Sequence, residues 1–296
     1  MMSGCIIMEG WSSALTVGRV RRGEETMNKR FAGYMLVTDM DGTLLNSGKM
    51  ISPENKRAIE RFVEQGGMFT LATGRIAGSV RRFADVLPLT APAILYNGAM
   101  MYDFANNEVV WQRTLPEAAR RALQQVMDRF PGLGVEIYCG SEPYYLRENE
   151  VTDHHRSMEN FKRPATESME LLPEPWIKVL LAWNPAKLDE VEAFTEQFKE
   201  KLTWVRSDDK YLEILPENAT KGHALEELMA AKGIERAKCI AMGDHLNDLE
   251  MLRRAGVGIA VANAHASLTD VCDRTCKHHD DHAVADVIEW LEREAN

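Results

Sequence analysis

Tyr34-Met35-Leu36-Val37-Thr38-Asp39-Met40-Asp41-Gly42-Thr43-Leu44-Leu45 is the stretch on which the fold of this chain turns. An apolar run stops at two carboxylates one residue apart, and a glycine follows. The run is short and suits a strand buried on both faces, as in a parallel sheet. In open α/β sheets the ligand crevice lies at the carboxyl ends of such strands. Two acids placed there repel each other unless a cation or a division of labour relieves them. Asp39 and Asp41 point opposite ways if the strand continues. Gly42 permits an abrupt turn that could bring both to one opening. A carboxylate nucleophile beside a second acid suits phosphoryl transfer through an aspartyl-phosphate.

Outward from this strand the pattern repeats. Ile51-Ser52-Pro53-Glu54 reads as a helix start, with Ala58, Ile59, Phe62 and Val63 as its apolar face and Gly66-Gly67 as its stop. Met68 to Thr73 is a second buried strand, closing on Thr73-Gly74-Arg75. A helix through Val80 to Val86 follows, then a third strand, Ala93 to Tyr96, ending at Asn97-Gly98. Such alternation implies right-handed crossovers and a parallel sheet. From about Asp103 the strands become longer and more aromatic: Val109 to Arg113, Val135 to Cys139, Tyr144 to Arg147, Trp176 to Trp183. Alternation resumes after Lys221, where Cys239 to Met242 runs into Gly243-Asp244-His245-Leu246-Asn247-Asp248 and Val257 to Val261 forms another buried strand. The expected architecture is a parallel-sheet core over 34–102 and 210–296, with residues 103–209 inserted as a second α/β unit.

The bulk numbers narrow the classes. At 296 residues the chain can bury a large core. A net charge of -10 disfavours binding to nucleic-acid backbones but leaves room for a local basic pocket. No apolar run has the length to span a bilayer. Five scattered cysteines are too few for a disulfide framework and fit a reducing, cytoplasmic setting. Residues 1–33 read as a flexible extension. Cys5-Ile6-Ile7-Met8 is too short for a secretory signal, and Met27-Asn28-Lys29-Arg30 resembles a natural start.

Four signals at strand ends or in loops stand together: Asp39 with Asp41, Thr73, Lys221, and Asp244 with Asp248. Phosphoryl transfer needs each type. A carboxylate attacks phosphorus, a hard cation neutralises phosphate oxygens, a hydroxyl and an ammonium stabilise the transferring group, and a second acid moves the proton. Taken singly, Thr73 reads as the end of a strand and Asn97-Gly98 as an ordinary turn. Lys221 alone reads equally well as a solvated lysine at a helix start after Asn218-Ala219-Thr220.

In this order the four motifs resemble those of haloacid-dehalogenase-superfamily phosphatases of the Cof-like group with a type IIB cap, over nearly all of 34–296. Asp39-Met40-Asp41-Gly42-Thr43-Leu44-Leu45 resembles the first motif and Thr73-Gly74-Arg75 the second. Lys221, between Leu212-Glu213-Ile214 and Ala224-Leu225, resembles the third, and Gly243-Asp244 with Asn247-Asp248 the fourth. The resemblance implies a Rossmann-like core with an inserted α/β cap that sets selectivity, and Mg2+ as cofactor. It implies Asp39 as nucleophile and metal ligand, and Asp41 as general acid and base that also meets the metal through its backbone carbonyl. Thr73 and Lys221 would hold the phosphoryl group, with Arg75 meeting the substrate and Asn247 beside the phosphate. Asn97 and Gly98 would line the pocket mouth, Asp244 would ligate the metal, and Asp248 would support it.

The expected activity is magnesium-dependent hydrolysis of a small phosphorylated metabolite, with no nucleic-acid or membrane partner, by a monomer or small homo-oligomer. A phosphoryl transferase or phosphomutase with the same nucleophile is one alternative, and a noncatalytic sugar-phosphate sensor is another. Cys272, Cys276, His278, His279 and His282 invite a zinc reading, with the cysteines on one helical face. Their spacing departs from that of structural zinc sites and favours a solvent-facing loop before the final helix. His245 lies nearer the chemistry, as a tuning residue or a bystander.

Overall fold

The computed structural model describes residues 29–139, 142–159, 166, 168–198 and 202–294. The apolar run forms β1 (Met35–Thr38), buried at every position. It is followed by α1 (Pro53–Glu64), β2 (Met68–Leu71), α2 (Ala77–Ala84), β3 (Ala93–Leu95), β4 (Met100–Asp103) and β5 (Glu108–Gln112). Next come α3 (Glu117–Arg129), β6 (Gly134–Cys139), β7 (Glu142–Arg147), α4 (Glu150–Glu159), β8 (Trp176–Ala182), α5 (Pro185–Thr195), β9 (Thr203–Asp208) and β10 (Tyr211–Leu215). The last part gives α6 (Lys221–Lys232), β11 (Cys239–Gly243), α7 (Leu249–Arg254), β12 (Val257–Ala260), α8 (Ala266–Thr269), β13 (Arg274–Thr275) and α9 (Ala283–Glu294).

Among these residues two units separate, one of 29–75, 80–111 and 220–294, the other of 76–79 and 112–219. The first holds a parallel sheet of order β13-β12-β11-β1-β2. The register Thr38↔Leu71 and Thr38↔Met242 brings the carboxyl ends of β1, β2 and β11 level. A parallel bridge between Ala72 and Ile94 carries the sheet on to β3, which heads a three-stranded sheet of order β3-β4-β5. α1 starts as the sequence predicts, the Ser52 hydroxyl accepting the Asn55 N–H at 3.2 Å with Pro53 in the first turn. Its buried Ala58, Ile59 and Phe62 face inward.

The second unit is a five-stranded antiparallel sheet of order β7-β6-β8-β10-β9. Leu123 and Val126 of α3 and Leu188 and Val191 of α5 close one face over Val135, Ile137, Val179, Leu181, Leu212 and Ile214. Strand alternation sends Glu136, Lys178 and Glu213 to the other face, where they are buried in partnership. Lys178 Nζ meets Glu213 Oε1 at 3.0 Å, and His155 Nδ1 meets Glu136 Oε1 at 2.9 Å.

Both expected boundaries of the insertion move. β5 belongs to the first unit, beside β4, and β10 hydrogen-bonds to β8 and β9 in the second. The insertion therefore runs over 112–219 rather than 103–209. Asp103 and Asp208, at the expected ends of the insertion where the sequence suggests short linkers, instead close hairpins at the ends of β4 and β9. The Asp103 carboxylate accepts the N–H groups of Ala105 and Asn106 at 2.8 and 3.1 Å, and Asp208 accepts that of Lys210 at 2.9 Å. Aspartate favours such turns and linkers alike, so composition cannot separate them. The expected extension also ends earlier. Phe31 is fully buried, its ring 4.9 Å from Phe62 and its N–H bonded to Gln65 O at 2.9 Å. Residues 1–28 lie outside the described part. Among the described residues no helix is long and apolar enough to cross a membrane.

Candidate active site

Every residue of the site belongs to the first unit. β1 ends at Thr38, and the Asp39 N–H bonds to Met242 O at 2.9 Å, which sets Asp39 beside the end of β11. The chain then turns at Gly42, whose φ is +78°. A side chain there would put its Cβ 2.3 Å from Asp244 Oδ2, so the turn and the carboxylate from β11 share space that only glycine leaves open. Gly42 O accepts the Asn263 side-chain N–H at 2.8 Å, and the Thr43 hydroxyl donates to Asp244 Oδ1 at 3.0 Å.

Lys221 opens α6. Thr220 caps that helix, its hydroxyl accepting the His223 N–H at 3.1 Å. Lys221 Nζ lies 2.6 Å from Asp39 Oδ1 and 2.7 Å from Asp248 Oδ1, with its side chain wholly buried. Asp248 Oδ2 accepts the N–H groups of Asp244 and His245 at 3.0 and 3.2 Å, folding the loop after β11 around itself. The ligand oxygens of Asp39, Asp244 and Asp248 lie within 4.8 Å of one another.

Charge crowding perturbs these groups. Burial raises Asp39 well above the usual aspartate range, the Lys221 ammonium pulls it back, and Asp248 and Asp244 push it up again. Burial and then Asp248 raise Asp244, against its bond from Thr43. Burial works against the charge of Lys221, but Asp248 and Asp39 outweigh it and keep its pKa raised.

Asp41 stands in a different environment. Its carboxylate accepts Arg75 Nε and Nη2 at 2.6 and 2.8 Å, and Lys49 Nζ at 2.8 Å. Burial acts to raise its pKa, but the hydrogen bonds and charge of Arg75, with Lys49, lower it to about 2. The turn at Gly42 thus places the two acids by separate partners, and the Asp41 carboxylate stands apart from the three-carboxylate cluster.

The remaining residues frame the site. The Thr73 hydroxyl accepts the Arg75 N–H at 3.2 Å, and Thr73 O accepts that of Asn97 at 3.0 Å. Asn97 takes up φ 54° and receives a hydrogen bond from the Asn247 side chain at 3.0 Å. Gly98 has φ +100°, and a Cβ on it would fall 2.1 Å from Thr220 O. Its visible duty is to let the Asn97-Gly98 turn press against the start of α6. The His245 ring sits 6.1 Å from that of His265, while its N–H supports Asp248.

The sequence reading passed over Lys49 and Asn263. Lys49 lies in a loop with no periodic signal, and Asn263 follows β12 by three residues in an unremarkable turn. Only the folded register brings either to the first strand end. The helical face expected for Cys272 and Cys276 is absent, because α8 ends at Thr269 and β13 intervenes. Cys276 is instead buried, its thiol pushed up to about 12 by desolvation. His278 and His279 converge with Asp280 and without the cysteines.

Residues 36–288 match the family described as haloacid dehalogenase-like hydrolase. The chain belongs to that family. It is 31% identical over 284 residues to the 5-amino-6-(5-phospho-D-ribitylamino)uracil phosphatase YwtE of Bacillus subtilis, a match covering 86% of this chain and 97% of YwtE. A haloacid dehalogenase-like hydrolase from Bacteroides thetaiotaomicron superposes with a TM-score of 0.80 at 28% identity, covering 87% of this chain and 99% of that one. A subclass IIB sugar phosphatase of the superfamily shares the fold at 20% identity and a TM-score of 0.75, covering 88% and 99%. The Cof-like resemblance and the capped Rossmann-like fold drawn from the motifs agree with these matches. The chain is a hydrolase, and the class expected from its sequence, acting on phosphoric monoesters, is that of these phosphatases.

Three convergent carboxylates offer the hard oxygen donors that magnesium prefers, and their mutual repulsion is what a cation relieves. The set fits such an ion. Asp39 and Asp244 would hold it directly. Asp248, already engaged by Lys221 and two backbone N–H groups, would steady the loop that carries Asp244.

Proposed function

We propose that this chain is a magnesium-dependent phosphatase of a small phosphorylated metabolite, a sugar phosphate or similar phosphomonoester, working through an aspartyl-phosphate on Asp39. The observation that carries the reading is the grip of Lys221 Nζ on Asp39 Oδ1 at 2.6 Å. It neutralises one oxygen and leaves Oδ2 to attack phosphorus in line with the leaving oxygen. The P–O bond to the leaving group breaks as the new P–O bond to Asp39 forms, and Asp41 delivers a proton to the departing oxygen. Asp41 then takes a proton from water as that water attacks phosphorus, and Asp39 is released with inorganic phosphate. Magnesium, when bound, supplies charge neutralisation for the phosphate oxygens.

Arg75 gives the site its timing. Held by Arg75 and Lys49, the Asp41 carboxyl is ionised at neutral pH and carries no proton to deliver. An anionic substrate competes for the guanidinium and the ammonium. Their turn toward phosphate strips Asp41 of its stabilising partners and raises its pKa towards the range of a working acid. The Thr73 hydroxyl, just past β2, and the Lys221 ammonium, at the start of α6, would hold the transferring group.

A phosphorylated polyol of the kind named for YwtE is the first substrate class to try. Phosphate release from a panel of phosphomonoesters, with magnesium and with chelator, tests the reading. Release that depends on magnesium and vanishes in Asp39→Asn is expected. Turnover retained by Asp39→Asn would overturn it.

A further inference from the structure

His278, His279 and Asp280 lie between β13 and α9. His278 Nδ1 and His279 Nε2 each stand 3.7 Å from Asp280 Oδ2, and one ligand atom from each of the three residues lies within 4.8 Å of the other two. In a tetrahedral zinc site with bonds of about 2.0–2.1 Å, neighbouring ligand atoms are about 3.3 Å apart. Small rotations of two side chains therefore close the set around an ion.

The surroundings of the three residues point the same way. His279 Nδ1 lies 2.7 Å from Leu45 O. A carbonyl only accepts, so Nδ1 carries the proton and Nε2 keeps its lone pair on the side of Asp280. A backbone carbonyl fixes the tautomer of a ligating histidine in this manner. His278 Nδ1 accepts the Asp280 N–H at 3.2 Å, so Nδ1 is the unprotonated nitrogen of that ring, and an ion bound there takes the place of this long bond. Asp280 is held from outside by Ser47, whose N–H donates to Oδ1 and whose hydroxyl donates to Oδ2, both at 2.7 Å.

We propose that His278 Nδ1, His279 Nε2 and Asp280 Oδ2 form a binding site for a zinc-class divalent metal, distinct from the cluster of Asp39, Asp244 and Asp248. Two imidazoles and one carboxylate favour zinc over magnesium, and water completes the coordination. The bound ion clips the loop carrying Ser47 to the turn before α9. That loop also carries Lys49, which holds Asp41.

The full-length chain is titrated with zinc chloride in excess magnesium by calorimetry, and with cobalt(II) while its visible absorption is followed. One equivalent is expected, with an absorption spectrum of low-symmetry cobalt. His278→Ala and Asp280→Asn should each weaken binding by about tenfold or more, while Asp244→Asn leaves it unchanged. Circular dichroism reports whether each variant is folded, and Asp280→Asn, which preserves size and the His279 bond to Leu45, decides if an alanine variant is not. No zinc binding in excess magnesium, unchanged affinity in folded Asp280→Asn, or loss of the equivalent in Asp244→Asn would each overturn the assignment.

Discussion

Replacing Lys221 by methionine removes the ammonium shared by Asp39 and Asp248 and keeps most of the volume of its stem. Nζ lies 2.6 and 2.7 Å from the two carboxylates in buried surroundings, so the substitution strands two acids. Removing one partner of a buried pair costs ~3–5 kcal/mol. The folded chain can limit the damage by protonating one carboxyl. Against an ordinary aspartate near pH 3.9, that costs about 4 kcal/mol at pH 7, at 1.36 kcal/mol per pH unit. The two routes agree on ~4 kcal/mol. The same reckoning gives about 1.5 kcal/mol at pH 5. The sign follows from linkage. Losing the ammonium lifts a carboxyl whose folded pKa already stands above its unfolded one still further, so the folded variant binds more protons than the unchanged protein and the penalty shrinks as pH falls. Urea unfolding of both proteins at pH 5 and pH 7, in chelator, reads the difference directly. An equal loss at the two pH values, or a loss below ~1 kcal/mol at pH 7, would refute the assignment of Lys221 as counter-ion to both acids.

Other perturbations separate the roles of the neighbouring groups. Asp39→Asn should abolish turnover yet melt no lower than the unchanged protein in chelator, since it removes one of three crowded negative charges; differential scanning calorimetry checks this. Asp41→Asn should slow esters with poor leaving groups far more than activated aryl phosphates, because only the former need a proton on departure; equal slowing in steady-state assays would contradict that role. Gly98→Ala sets a Cβ 2.1 Å from Thr220 O at a positive φ. It should lower stability by about 1–3 kcal/mol and shift the start of α6, with kcat falling as Lys221 moves; urea unfolding and steady-state rates read both effects. Burial holds Asp39 and Asp244 above the ordinary range, so protons compete with the metal there. Magnesium affinity measured by calorimetry should rise with pH until both groups are ionised.

Much of this was legible in the chain because its β-strands are buried on both faces and end abruptly. Four apolar runs closing on Asp39, Thr73, Asn97 and Gly243 mark strand ends without any three-dimensional information. What the sequence could not carry was pairing across long separations. Whether Asp41 meets Arg75 or solvent depends on the fold of the chain between them, two positions 34 residues apart. Helix α4 was also hidden, because Glu150 to Glu159 is mostly polar and its few apolar residues give no stripe. β4 was absorbed into the turn before it, as Tyr96-Asn97-Gly98 reads as a terminator rather than a pause between strands. The insertion boundary failed for a local reason: aspartates that close hairpins look like aspartates that open linkers.

The contact of Gly98 with Thr220 has an evolutionary consequence. More than a hundred residues leave the core after Trp111 and return at Thr220, and they return against a turn that belongs to the core itself. Lys221 is thus anchored to the same framework as Asp39, independently of whatever precedes it. A change of sequence or length in the inserted unit can therefore be absorbed before Thr220 without dragging the ammonium off Asp39. All the residues of the candidate site lie on one side of that junction.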